Sequence, residues 1–556
     1  MKSGFKWRGL LLAGPPLLFL AVFYFFPLFK ILDLSFRSEG RFDYSGLAAL
    51  VTGSRYLHVV WFTFWQAVVS TLLTLAIGLP GAYVFARYRF PGKSLVLSLT
   101  SVPFVLPTLV VAAAFRALLG PAGLVNTWLT EFLPWFPHIN IDHTVWFVLL
   151  AHVFYNYTLV VRIVGGFWSR LQPALVEAAR TMGASPLRAF REITFPLLLP
   201  AIFAAGLLVF VFCFTSFGVV LILGGPLLST IEVEIYRQAM HIFNLPLAAT
   251  LSVFQILFTA GVMWVHSYLG GKASVTLHPQ SLELTQRIPK RPNERLMVFG
   301  NLALMAILLA TPLAALVIQS FATTDGWTLA FYRELFLNRS QSIFFVPPIE
   351  AIFNSLGFAL VATVMAVVLG GMAAKFLARP GGGAGSLWDP IFMLPLSTSA
   401  VTLGFGFIIA LNKPPLNLRS SWVLVPIAHT LVALPFVIRS LLPALRGLPR
   451  QLKEAAFMLG ASPLKAFRHV ELPIISRAVL VGAVFAFSVS LGEFGATAFV
   501  ARPQTPTMPV AIYQFLGRVG TMNYGQAMAM STLLMLVTAI SFLVIDKVRR
   551  PGGGAY

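Results

Sequence analysis

Apolar runs about as long as a bilayer is thick recur from one end of this chain to the other, separated by short charged or Pro/Gly-containing breaks. A helix needs about 20 predominantly apolar residues to cross the hydrocarbon core. Inside that core, only helices and closed barrels satisfy their own backbone polar groups. The runs cover residues 9–30, 59–86, 94–119, 144–164, 196–223, 246–269, 296–320, 351–377, 388–411, 421–440, 478–500 and 523–545. They predict an all-α polytopic membrane protein of about 12 transmembrane helices. The third and ninth runs are rich in proline, which neighbouring helices tolerate by satisfying the freed backbone groups. The 556 residues are 58% hydrophobic and only 11% charged, whereas soluble domains carry about 25% charged residues. That balance excludes a soluble enzyme, a disordered chain and a disulfide scaffold, and the single cysteine, Cys213, leaves no intrachain disulfide or thiol metal site.

Lys2, Lys6 and Arg8 precede the first run in the manner of a signal peptide. The run outlasts a usual h-region of about 7–15 residues and no small-x-small cleavage site follows, so it is expected to remain as the first span. The net charge of +21 would suit a nucleic-acid binder, but its placement points elsewhere. The basic clusters Arg87/Arg89/Lys93, Lys272 with Arg287/Lys290/Arg291/Arg295, and Lys547/Arg549/Arg550 all flank span ends, where basic residues mark the cytoplasmic side. Both termini are therefore expected in the cytoplasm, and no nucleic-acid partner is expected.

The chain repeats itself. Residues 177–196 read EAARTMGASPLRAFREITFP and residues 454–473 read EAAFMLGASPLKAFRHVELP, identical at 12 of 20 positions with an offset of 277. The same offset relates His152 to His429, Arg162 to Arg439, Phe217-Gly218 to Phe494-Gly495 and Thr230 to Thr507. Nearer the start of each half it becomes 292, pairing Gly78 with Gly370 and Ala86-Arg87 with Ala378-Arg379, because the first half has a longer loop around 120–142. Six spans in each half return the chain to one side, so the halves are parallel repeats. The expected domains are a first half at 1–270 with a loop at 170–195, a basic linker at 271–295, and a second half at 296–556 with a loop at 447–473.

Each of those loops lies on the expected cytoplasmic side, between the fourth and fifth spans of its half. Pro173 and Pro449 suit a first helical turn, and Gly183 and Gly460 suit the left-handed residue that ends a helix. Ser185-Pro186 and Ser462-Pro463 suit an N-cap and N1 proline for a second short helix. Two short helices joined at Gly-Ala would form a knuckle, with Ala178-Ala179 and Ala455-Ala456 small enough for close approach by another protein. The pattern E-A-A-x3-G-x9-I-x-L-P resembles the signature of permease subunits of binding-protein-dependent ABC importers. The first copy departs from it at Phe195, and the second at Val470.

That resemblance covers nearly the whole chain. It implies that Glu177, Ala178, Ala179 and Gly183, with Glu454, Ala455, Ala456 and Gly460, couple to two copies of an ABC ATPase subunit on the cytoplasmic face. It further implies an extracytoplasmic substrate-binding protein and a place in the bacterial cytoplasmic membrane. The chain is expected to be no enzyme itself and to bind no cofactor or metal, the ATP being used by the partner. Gly92-Lys93-Ser94 ends like a P-loop, but the pattern requires glycine at 87, which is Arg87. A secondary transporter of the major facilitator type shares two parallel six-span halves. That class carries a Gly-Asp-Arg loop between its second and third spans, where this chain has RYRFPGKS.

Intramembrane ionisable residues are substrate-pathway candidates. Glu493 near the outer end of the eleventh span, its repeat partner Ser216, and Glu232 and Glu234 are the candidates here, with structural or loop roles as the alternative. His152 and His429 are expected to hydrogen-bond inside the bundle. The stretches at 57–67, 149–156, 213–225 and 229–239 resemble the fused permeases of thiamine importers, implying thiamine or its phosphates as substrate. Ferric-iron permeases share the architecture and are the alternative, while SLGEFGAT also resembles molybdate and sulfate permeases.

Overall fold

The computed structural model describes residues 2–38, 41–272, 286–323, 326–338, 346–379, 384–412, 414 and 416–549. Of the expected linker, residues 273–285 lie outside the described residues. The described residues are mainly helical, with a pair of two-residue strands following the first span of each half, Arg37–Ser38 with Arg41–Phe42 and Ala322–Thr323 with Gly326–Trp327. Among the described residues, eleven helices are long and apolar enough to cross a membrane, and a bent pair brings the number to 12.

The bent pair corrects the expected ninth span. Trp388–Ser397 and Ala400–Ala410 meet at 95°, and the Ser399 hydroxyl accepts from the Val401 amide at 3.1 Å to cap the second piece. The third run breaks at the equivalent place. Helices Lys93–Leu99 and Val102–Val105 stop before Pro107, and Thr108–Leu119 begins the candidate span Thr108–Phe132. Pro103 and Pro107 in one half, and Pro395 at the position equivalent to Pro103 in the other, remove backbone donors close to the break. The fifth and eleventh runs are also corrected. Their helices begin earlier and end at Phe214 and Gly492, and the remaining apolar residues fold into short separate helices, Gly218–Leu223 and Thr497–Val500.

By packing, the chain divides into two compact units, one of Met1–Leu47, Ile235–Val253 and Thr328–Tyr556, the other of Ala48–Glu234 and Phe254–Trp327. Each unit therefore holds the first span of the opposite sequence half. In one, the Tyr24 hydroxyl lies 2.6 Å from Thr398 Oγ1, and a Cβ on Gly406 would sit 3.0 Å from Pro27. In the other, Gln319 of the span Pro292–Gln319 donates to the Ala122 carbonyl at 3.1 Å. A clip delivers that span: the Arg287 amide donates to Arg87, and the Arg89 amide donates to Arg287, at 3.0 and 2.9 Å. The Arg287 guanidinium pairs with Glu294 at 2.8 Å and lies over the Tyr88 ring.

The core of each unit is three helices, Ser54–Arg87, Val145–Trp168 and Pro186–Phe214 in one, Ile349–Leu377, Leu424–Arg446 and Pro463–Gly492 in the other. Small residues bring them together, as at other membrane helix interfaces. A Cβ on Gly78 would stand 2.8 Å from Val160, and on Gly370 2.9 Å from Val437, the same pair in both repeats.

Candidate functional site

The 170–195 and 447–473 loops fold alike. Pro173–Thr181 and Arg450–Met458 are short helices, and both end in the same double bond pattern. Ala184 N donates to Ala179 O, and Gly183 N to Arg180 O; Ala461 N donates to Ala456 O, and Gly460 N to Phe457 O, all at 3.0–3.1 Å. This is the Schellman termination, with Gly183 at φ +90° and Gly460 at φ +77°. Open space surrounds both α-carbons, so the backbone angle, not crowding, demands glycine there.

Three details differ from expectation. Pro449 is the N-cap of its helix and not part of its first turn, because the second loop starts one residue later relative to its proline. The expected second short helix is instead the entrance of the fifth span in each half. Pro186–Ala189 runs through one π turn, Phe190–Thr194, into Phe195–Phe214, and Pro463–Ala466 does the same through Phe467–Glu471. Ser185 and Ser462 cap these entrances, their hydroxyls accepting from Arg188 N and Lys465 N at 3.2 and 3.4 Å. The small residues also divide. Ala178 and Ala455 face outward beside exposed Glu177 and Glu454, whereas Ala179 is buried in its own fold and Ala456 half-buried.

The tips carry apolar side chains into the open. Met182 is 86% exposed and Met458 89%, with Leu187, Leu459 and Leu464 nearly as free. Exposed apolar groups clustered on a surface mark an interaction site. Under the second tip lies a feature that motif reading missed. Glu471, buried, places one carboxylate oxygen 2.8 Å from Lys375 Nζ and the other 2.7 Å from Lys453 Nζ. The signal was present in the repeat alignment, where all three positions become uncharged in the first half: Tyr83, Val176 and Thr194.

The pathway candidates are all buried. His152 sits between two hydroxyls, Ser70 Oγ at 2.9 Å from Nδ1 and Ser216 Oγ at 2.8 Å from Nε2. His429 does likewise with Ser490 and Thr497, at 2.7 and 2.8 Å. Both rings thus make the interior hydrogen bonds expected of them. Glu493 follows the helix Leu472–Gly492 and caps the next turn. Its oxygens accept from the Ala496 and Thr497 amides at 2.8 and 3.0 Å and from the Thr497 hydroxyl, with His429 Nε2 at 3.5 Å. Glu232 and Glu234 lie on a buried helix, Ile231–Arg237, and not on an exposed loop. Gln255 donates to Glu232 and Ser229 to Glu234, while Thr63 accepts from the Ile231 amide at 3.0 Å to hold the helix in place. Ser216, Glu232 and Glu234 belong to one compact unit and Glu493 to the other. A cleft of about 520 Å³ opens beside Arg439 and Arg477, on the helices that flank the second loop.

A family profile described as "Binding-protein-dependent transport system inner membrane component" matches residues 76–275 and again 366–550. A probable ABC transporter permease, y4fN of Sinorhizobium fredii (strain NBRC 101917 / NGR234), is 27% identical over 97% of this chain and 95% of its own length. The thiamine transport system permease protein ThiP of Escherichia coli (strain K12) is 28% identical over 88% of each chain. A solved bacterial ABC transporter involved in import of the acidic polysaccharide alginate aligns at TM-score 0.39 and 15% identity, covering 47% of this chain and 94% of that one.

Proposed function

The chain belongs to the inner membrane components of binding-protein-dependent transport systems, as an ABC importer permease, and on that premise we propose that it carries thiamine or its phosphates inward, one ATPase subunit docking on each knuckle. The observation that carries the docking is the pair of exposed apolar tips, Met182/Leu187 and Met458/Leu459/Leu464, each ending a glycine-terminated helix at a span entrance. Two equivalent tips call for two ATPase subunits. Exposed Glu177 and Glu454 beside them supply charge for basic groups on the partner. Hydrolysis then belongs to the separate subunit, and both termini share the cytoplasmic side with the knuckles.

The thiamine reading rests on the relatives' names and on the four stretches that resemble thiamine permeases. In a binding-protein-dependent system the binding protein does most of the selecting. Glu232, Glu234 and Glu493, with Ser216, remain the pathway residues proposed for a cationic solute.

The test is uptake of labelled thiamine into vesicles containing this chain, its ATPase and its binding protein. Accumulation only with ATP supports the reading, whereas uptake of ferric iron and not thiamine keeps the importer and replaces the substrate. Glu454→Lys and Gly460→Val should lose ATPase co-purification from a folded permease, the latter through a left-handed strain of about 1–2 kcal/mol. Unchanged co-purification would overturn the docking assignment.

A further inference from the structure

The two knuckles are joined to their spans by different chemistry. In the second, Glu471 lies in the π turn that opens the eleventh span and accepts two short charge-assisted bonds. Lys453 comes from the knuckle helix Arg450–Met458, and Lys375 from the last turns of Ile349–Leu377. Lys375 Nζ also stands 4.1 Å from the centroid of the Phe467 ring. Three elements therefore meet on one buried carboxylate.

In the first half the same positions hold Tyr83, Val176 and Thr194, and the joint is aromatic. Tyr83 packs edge-on against Trp168 at 5.1 Å, and Trp168 lies 6.2 Å from Phe190, the counterpart of Phe467. Leu445 occupies the position equivalent to Trp168. The aromatic chain links the second and fourth spans to the fifth-span entrance, and the knuckle helix brings only Val176 to the position of Lys453. In the second half the knuckle helix itself is bonded into the joint.

The first half thus joins these elements without a buried carboxylate between two lysines. Burying a carboxylate between two lysines is no route to extra stability over apolar packing. What the ions add is directionality, because a displacement of Arg450–Met458 acts through Lys453 on Glu471 and through it on Lys375. We infer that Glu471, with Lys453 and Lys375, is a positioning device that passes ATPase movement from the second knuckle into two spans at once, making that knuckle the tighter of the two couplings. This rests on the docking reading above.

The experiment uses the complete importer in vesicles, with a fluorophore on the fully exposed Val519→Cys position; Cys213 is buried and out of the label's reach. ATP-driven fluorescence change, ATP hydrolysed per labelled thiamine taken up, and ATPase co-purification are measured together. In Glu471→Gln, co-purification should persist while the ATP-driven change falls about tenfold, within the span of couplings between linked sites. Thr194→Val, at the equivalent position, should leave it unaltered. A triple variant, K375Y/K453V/E471T, places the first half's residues in the second joint, leaves no orphaned charge, and carries the test should Glu471→Gln not fold. It should lose the response, and adding Leu445→Trp, which rebuilds the aromatic joint but gives the knuckle helix no ionic link, should not restore it. An unaltered response in the triple variant, or a response regained with Leu445→Trp while the ions are absent, overturns the inference. A parent chain that fails to hold the ATPase would instead strike the docking reading, and the joint's role with it.

Discussion

Glu493 shows how a buried carboxylate acquires a role from its immediate bonds. Two amides, a hydroxyl and an imidazole surround it, so the charge that made it a pathway candidate also caps the turn Thr497–Val500. Its counterpart Ser216 is held by His152, and no charge is needed there. Glu493→Gln keeps one acceptor and turns an amide donor toward groups that already donate. The expected outcome is a loss of about 1–3 kcal/mol, the usual scale for a buried polar group left unsatisfied, read as a lower thermal midpoint of the detergent-solubilised permease. A fall in uptake with an unmoved midpoint would instead assign Glu493 to the pathway alone.

Among elements, the helix pairs of each core depend on glycine at one register. Gly78 meets Val160, and Gly370 meets Val437, at distances a methyl group cannot occupy without movement. Gly78→Ala should therefore destabilise the contact between Ser54–Arg87 and Val145–Trp168 by about 1–3 kcal/mol, the cost of overpacking. Fluorescence-detected size-exclusion after heating would measure it, and Val160→Ala in the same chain should recover most of the loss. The offset of 292 pairs Gly78 with Gly370 before any coordinates are consulted, but nothing in either glycine names its partner. The valine is supplied by a second helix, 82 positions away in the first half and 67 in the second, and its approach is a consequence of packing.

At the scale of the molecule, sequence half and compact unit are different partitions of one chain. The first span of each half packs in the unit built mainly from the other half, and the Arg87–Arg287 clip fixes where the span Pro292–Gln319 begins. Expressing residues 1–278 and 279–556 as two polypeptides should still give a complex that co-purifies through one tag, because each piece supplies a span to the other's unit. Recovery of the tagged piece alone would argue that the exchanged spans contribute little to assembly.

Spans, repeat and knuckle were legible in the linear chain because each rests on local chemistry. Apolar length matches bilayer thickness, identical residues recur at a constant offset, and Gly183, Gly460, Ser185 and Ser462 act through backbone geometry within a few residues of themselves. The bend at Ser397–Ala400, the short helices after Phe214 and Gly492, the exchange of first spans and the Lys375–Glu471–Lys453 joint were not legible. Hydropathy records that a segment prefers lipid or protein to water, but it carries no direction and names no neighbour. Those choices are made when helices pack and buried polar groups find partners from distant parts of the chain.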